Sequence, residues 1–123
     1  MRETKKKKKR YNIAEYSCYL SIYFSFSSEQ IFNAFRAKIP ALLPKGVTAD
    51  IRGLGLMIGI EFLNAPAGSA SKVANEAFKL DTLVLTTSIY ETLRLIPALN
   101  ISKEDTDIAI EKVLASIEAA FKA

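Results

Sequence analysis

Residues 51–62 read Ile-Arg-Gly-Leu-Gly-Leu-Met-Ile-Gly-Ile-Glu-Phe, an apolar run broken by glycines at 53, 55 and 59. Glycines this close together are poor helix formers, and the β-branched and aromatic residues around them favour a pleated strand. The segment therefore reads as strand, tight turn, strand. Val47 to Arg52 form the first strand, Gly53-Leu54-Gly55 the turn, and Leu56 to Phe62 a largely buried second strand. Gly53-x-Gly55-x-x-x-Gly59 is not a dinucleotide fingerprint, whose third glycine opens a helix against a phosphate. Here a strand continues, so the glycines are read as turn and close-packing positions.

The other elements arrange themselves around this hairpin. Ser27-Ser28-Glu29-Gln30 offers a capping serine with glutamine three places on, followed by Ile31, Ala34, Phe35 and Lys38 at helical spacing. Pro40 and Pro44-Lys45-Gly46 are expected to end that helix. After the loop Asn64 to Ser69, Ser69 or Ser71 is expected to cap a helix with Val73, Ala74, Ala77 and Phe78 on its inner side. Leu83 to Thr87 and Thr92 to Ile96 read as two short strands, the second stopped by Pro97. Ser102-Lys103-Glu104-Asp105 caps a last helix whose apolar stripe is Ile110, Val113, Leu114, Ile117 and Phe121. The order α-β-β-α-β-β-α predicts an α+β fold: helices packed on a small, mostly antiparallel sheet.

Residues 1–27 differ in character from residues 28–123. Residues 1–10 carry Arg2, Lys5 to Lys9 and Arg10 against Glu3, a net +6 that exceeds the +4 of the whole chain. Residues 11–123 are slightly acidic, with ten basic and twelve acidic side chains, so the charge balance gives no nucleic-acid-binding face. Tyr11 to Ser27 are rich in aromatics, but Glu15 and several serines interrupt them, and the run is too short to span a bilayer. A lysine block is a poor match to an arginine- and serine-rich transit helix, which leaves cytoplasm and mitochondrion both open. Residues 1–27 are read as a basic, aromatic leader, disordered or foreign to the domain, and residues 28–123 as the domain.

Composition removes several chemistries. The chain has no histidine and one cysteine, Cys18, so Ser-His and Cys-His catalysis, an intrachain disulfide and a thiolate metal cluster are all excluded within it. No carboxylate pair has a spacing that demands metal or acid–base chemistry, and no metal site is expected. Glu61 is a lone carboxylate that suits pairing with a basic residue as well as general-base work. Asp105 and Asp107 sit where a helix dipole favours negative charge. Thr86-Thr87-Ser88 supply hydroxyls with no base near them in sequence, and loop hydrogen bonding is their expected role.

Arg94 stands apart, because Leu93-Arg94-Leu95-Ile96-Pro97 is otherwise apolar. In a strand, Leu93, Leu95 and Pro97 share one face and Arg94 and Ile96 the other. A guanidinium in such surroundings needs a carboxylate, supplied by the protein as an ion pair or by a substrate through a bidentate fork.

Gly53-Leu54-Gly55-Leu56-Met57-Ile58-Gly59-Ile60-Glu61, with Leu93-Arg94-Leu95-Ile96-Pro97-Ala98-Leu99-Asn100-Ile101-Ser102 beyond it, resembles the C-terminal small domain of the class III pyridoxal-phosphate aminotransferases. The resemblance covers roughly residues 28–123. It implies the small domain of a fold-type I enzyme, packed on a large cofactor-binding domain and usually in a homodimer. It also implies amino-group transfer from an amino acid or amine to a 2-oxo acid, with pyridoxal phosphate as electron sink. Arg94 matches the arginine that binds the substrate carboxylate, and is the one site residue carried over. The family's Schiff-base lysine, phosphate-binding loop and pyridinium-pairing aspartate have no counterpart, so no catalytic or cofactor-binding residue is assigned. Lys79-Leu80-Asp81-Thr82 stand where relatives often have a glycine, and Ala98 replaces a second proline. The expected function is that of an aminotransferase fragment, inactive alone and binding no pyridoxal phosphate by itself. The alternative is a non-catalytic α+β interaction module that keeps the small-domain fold. Neither a nucleic-acid partner nor a transmembrane segment is expected.

Overall fold

The computed structural model describes residues 13–122 apart from Ser88 and Leu99, with side chains from Ser28 onward. The basic run at residues 1–10, and all of the leader's side chains, lie outside the described residues. The elements are α1 (Ile13–Leu42), β1 (Thr48–Leu54), β2 (Met57–Leu63), α2 (Ser69–Lys79), β3 (Leu85–Thr86), β4 (Thr92–Leu95) and α3 (Lys103–Lys122). The strands form one antiparallel sheet in the order β1-β2-β4-β3. The α+β architecture and element order are those expected from the sequence.

All three helices pack on one face of the sheet. Ile31, Phe35 and Ile39 of α1, Val73 and Ala77 of α2, and Ile110, Val113 and Ile117 of α3 meet Ile58, Ile60, Phe62 and Leu93 of the strands in one buried core. Phe62 and Phe121 meet edge to face at 5.2 Å, tying α3 to β2. The period-two pattern survives intact on β2, where Ile58, Ile60 and Phe62 are buried and Met57 and Leu63 exposed.

The helix start differs from expectation. Serines 27 and 28 do not begin a helix, because α1 runs back to Ile13. Ser28 instead donates its hydroxyl to the Gly55 carbonyl at 2.6 Å, docking α1 against the hairpin turn. Eight residues further along, Arg36 donates to the Ile51 carbonyl at 3.4 Å and lies 5.1 Å from the Phe32 ring centroid. The Arg36 contact covers part of the free edge of β1, which would otherwise offer unpaired backbone groups. Pro40 lies inside the last turn of α1, which ends two residues later at Leu42.

The turn between β1 and β2 also sits later than expected. Leu54 pairs with Met57, so Gly55-Leu56 is a two-residue loop. Gly55 has φ +60° while Leu56 does not enter the positive region, the pattern of a type II′ turn. Gly53 is needed for a different reason: a Cβ there would collide with the Met57 carbonyl oxygen.

At α2 the expected serine caps are not used. Gly68 occupies the cap position with φ +86° and no side-chain hydrogen bond of its own. Glu91 closes the helix instead, accepting from the N–H groups of Gly68 and Ala70 at 2.8 Å each. Phe78, expected inside, is 72% exposed, because the inner stripe is carried by Val73 and Ala77. At α3 the expected cap is present: the Asp105 N–H donates to Ser102 Oγ at 3.1 Å.

Candidate functional site

The face of the sheet away from the helices carries the chemistry. Cross-strand register places Arg52, Gly59, Arg94 and Leu85 in one row across β1, β2, β4 and β3. The neighbouring row holds Asp50, Glu61 and Thr92. Gly59 therefore leaves a gap, without a side chain, between two guanidinium-bearing strands.

Those two arginines are in different states. Arg52 donates to Asp50 at 2.5 Å and to Glu61 at 2.6 Å. The hydrogen bond to Glu61, and after it that to Asp50, push the guanidinium above its ordinary pKa, so it stays charged at any working pH. Glu61 thus takes the role of pairing with a basic residue that its sequence position allowed. Arg94 is exposed, and its guanidinium makes no hydrogen bond or ion pair among the described residues. The ion pair that its apolar surroundings allowed as an alternative is not formed there.

The remaining sequence candidates fall away from this face or into local roles. Thr87 donates its hydroxyl to the Tyr90 carbonyl at 2.9 Å, the loop bond expected of it, and Ser88 lies outside the described residues. Asp107 accepts from Gln30 at 2.6 Å, linking α3 to α1. Among the described residues no group of histidine, cysteine, aspartate and glutamate could hold a metal ion. Nor is any described helix long and apolar enough to cross a membrane.

Two residues were missed by the sequence reading. One is Glu91, whose carboxylate anchors the start of β4 to the N-terminus of α2, three residues before Arg94. The other is Thr92, 8% exposed, whose Oγ1 is the one fully buried side-chain polar atom without a hydrogen bond among the described residues. Neither has a sequence signal, because in each case the partner, or its absence, depends on long-range packing.

Besides the Arg52 ion pairs, this face carries apolar side chains that no described residue covers: Leu54 is 90% exposed, and Met57, Leu63 and Leu85 are exposed on the same side. A cavity of ≈ 210 Å³ opens on the helix side of the sheet, between Ile31, Phe35, Val84, Pro97 and Ile110, with no charged side chain in its lining. It does not include Arg94.

No family model matches the chain. Among solved structures, the N-acetylornithine aminotransferase from Stenotrophomonas maltophilia superposes with a TM-score of 0.70 at 27% identity, over 81% of this chain and 26% of that one. The chain shares its fold with part of the class III aminotransferases. Two further solved structures share this fold. The ornithine aminotransferase from Toxoplasma gondii, seen with partial occupancy of pyridoxal phosphate at its active site, matches with TM-score 0.72 and 20% identity over 86% of this chain and 24% of its own. A transaminase from the marine bacterium Virgibacillus matches with TM-score 0.75 and 17% identity, over 86% of this chain and 26% of its own. The chain thus spans about a quarter of the length of the aminotransferases it matches.

Proposed function

We propose that this chain forms the C-terminal small domain of a pyridoxal-phosphate-dependent class III aminotransferase and binds the substrate carboxylate on Arg94. The substrate class is an amino acid or amine as donor and a 2-oxo acid as acceptor. The observation that carries the reading is the state of Arg94: an exposed guanidinium on the sheet, without a carboxylate among the described residues, in a fold shared with aminotransferases. Its planar fork suits the two oxygens of a carboxylate.

The described residues of this chain do not fit pyridoxal phosphate. Lys38, Lys45, Lys72, Lys79, Lys103 and Lys122 are exposed, Lys112 is half-buried on α3, and none lines the apolar cavity. Lys79 and Lys122 are engaged by Glu76 and Glu118. Holding the cofactor is therefore assigned to the large domain, and the chain by itself is inactive. The uncovered apolar residues around Arg94 support a face made to meet such a domain in a dimeric enzyme. They equally suit the second reading, a non-catalytic interaction module.

The intact mass of the native species that carries α3 separates the two. A chain with aminotransferase sequence ahead of Ser28 is expected. In that enzyme Arg94→Ala should raise the KM for the 2-oxo acid by roughly one to two orders of magnitude, the worth of a bidentate charged contact. A native species of 13.6 kDa with no large-domain partner would overturn the reading in favour of the interaction module.

A further inference from the structure

Thr92 and Arg94 are two residues apart on β4, so their side chains leave the sheet on the same face. The other threonine hydroxyls with a described role are satisfied: Thr82 donates to the Leu80 carbonyl, Thr87 to that of Tyr90 and Thr106 to that of Ser102. Thr92 Oγ1 has no such partner. Its cross-strand neighbour Glu61 turns its carboxylate to Arg52 at 2.6 Å. A valine would fill the same volume without burying an unpaired hydroxyl, so threonine here calls for a cause.

Gly59 supplies the geometry. It stands directly opposite Arg94, and the position a Cβ would take on it lies 3.9 Å from Thr92 Cγ2 and 3.6 Å from the Arg52 carbonyl oxygen. The Thr92 methyl thus overlooks the gap beside Arg94. Strand residues populate two staggered χ1 wells readily. A turn of about 120° between such wells brings Oγ1 into the place of the methyl, over Gly59, and moves the methyl to that of Hβ. A carboxylate gripped by the arginine fork keeps lone pairs for one more donor.

We infer that Thr92 is a second ligand-binding residue, donating its hydroxyl to the carboxylate that Arg94 takes. The inference rests on the reading of Arg94 given above. Gly59 is the residue that leaves room for the ligand, and the orphaned hydroxyl is the state of the site before a carboxylate arrives.

The test is a titration of the full chain with glutarate, following the Arg94 Nε–H and β4 amide resonances by NMR. Four proteins are compared: the unaltered chain, Thr92→Val, Thr92→Ser and Arg94→Ala. Thr92→Val should weaken glutarate binding roughly three- to ten-fold, the scale of one net hydrogen bond, without lowering the melting temperature. Thr92→Ser, which keeps the hydroxyl, should bind within about two-fold of the unaltered chain. If Thr92→Val binds as tightly as the unaltered chain while Arg94→Ala does not bind, the role of Thr92 is wrong and that of Arg94 stands. If the unaltered chain does not bind glutarate, or Arg94→Ala binds it equally well, the reading of Arg94 falls and this inference falls with it.

Discussion

Glu91 and Ala70 are twenty-one residues apart in sequence, yet the Glu91 carboxylate accepts the Ala70 N–H at 2.8 Å and, with its other oxygen, that of Gly68. A carboxylate at a helix N-terminus satisfies orphaned donors and meets the positive end of the helix dipole. The same residue uses its backbone carbonyl to accept from the Phe62 N–H at 2.8 Å, so it joins α2, β2 and β4 at one point. Glu91→Ala should destabilise the chain by about 1–2 kcal/mol in chemical denaturation, the worth of a lost cap. Ser71→Ala, an exposed serine that the sequence offered as a cap, should change it by less than about 0.5 kcal/mol. Equal losses for both would contradict the structure.

At the other end of α2 the helix closes on a residue other than glycine. The Thr82 N–H donates to the Ala77 carbonyl and the Asp81 N–H to that of Phe78, a Schellman arrangement with Asp81 at its left-handed position, φ +56°. Glycine suits that conformation better than aspartate does. Asp81→Gly is expected to raise stability by up to about 1 kcal/mol, net of the added freedom of the unfolded chain. A decrease in the denaturation midpoint would show that Asp81 stabilises the fold in another way.

The hairpin glycines should not behave alike. At Gly53 a side chain would run into the Met57 carbonyl, backbone that has little room to yield between paired strands. Gly53→Ala should cost about 2–3 kcal/mol. At Gly55, φ +60° with nothing within 4 Å of a Cβ, only conformational strain opposes a side chain. Gly55→Ala should cost about 1 kcal/mol. Melting curves that rank them in the reverse order would rule out this register of the turn.

Arg94 and Arg52 share a row of the sheet but differ in their partners. Because the Arg94 guanidinium has no partner among the described residues, Arg94→Ala should leave the stability of the chain within about 0.5 kcal/mol. Arg52→Ala strips Asp50 and Glu61 of their shared cation and should lower stability measurably, by less as salt is raised. A large loss from Arg94→Ala would assign that arginine to the fold and not to a ligand.

The element order was legible because each signal is local. Period two over Met57 to Leu63 and helical spacing over Ile110 to Phe121 need only the side chain's direction from its own backbone. Ser102 was legible as a cap because its partner, the Asp105 N–H, is three residues away. Arg94 could be placed on the opposite face from Leu93 by the same alternation. Tertiary structure decided what depends on distant partners. Ser28 had the composition of a helix cap, but it lies inside α1 and bonds to the Gly55 carbonyl twenty-seven residues on. Phe78 fitted an inward stripe, yet the core beneath α2 is closed by Val73 and Ala77. The cap by Glu91 and the unpaired Thr92 hydroxyl exist only once β4 has been placed between β2 and β3. Local periodicity sets which way a side chain leaves the backbone, whereas its hydrogen-bond partner is chosen by whichever chain segment the packed core brings alongside.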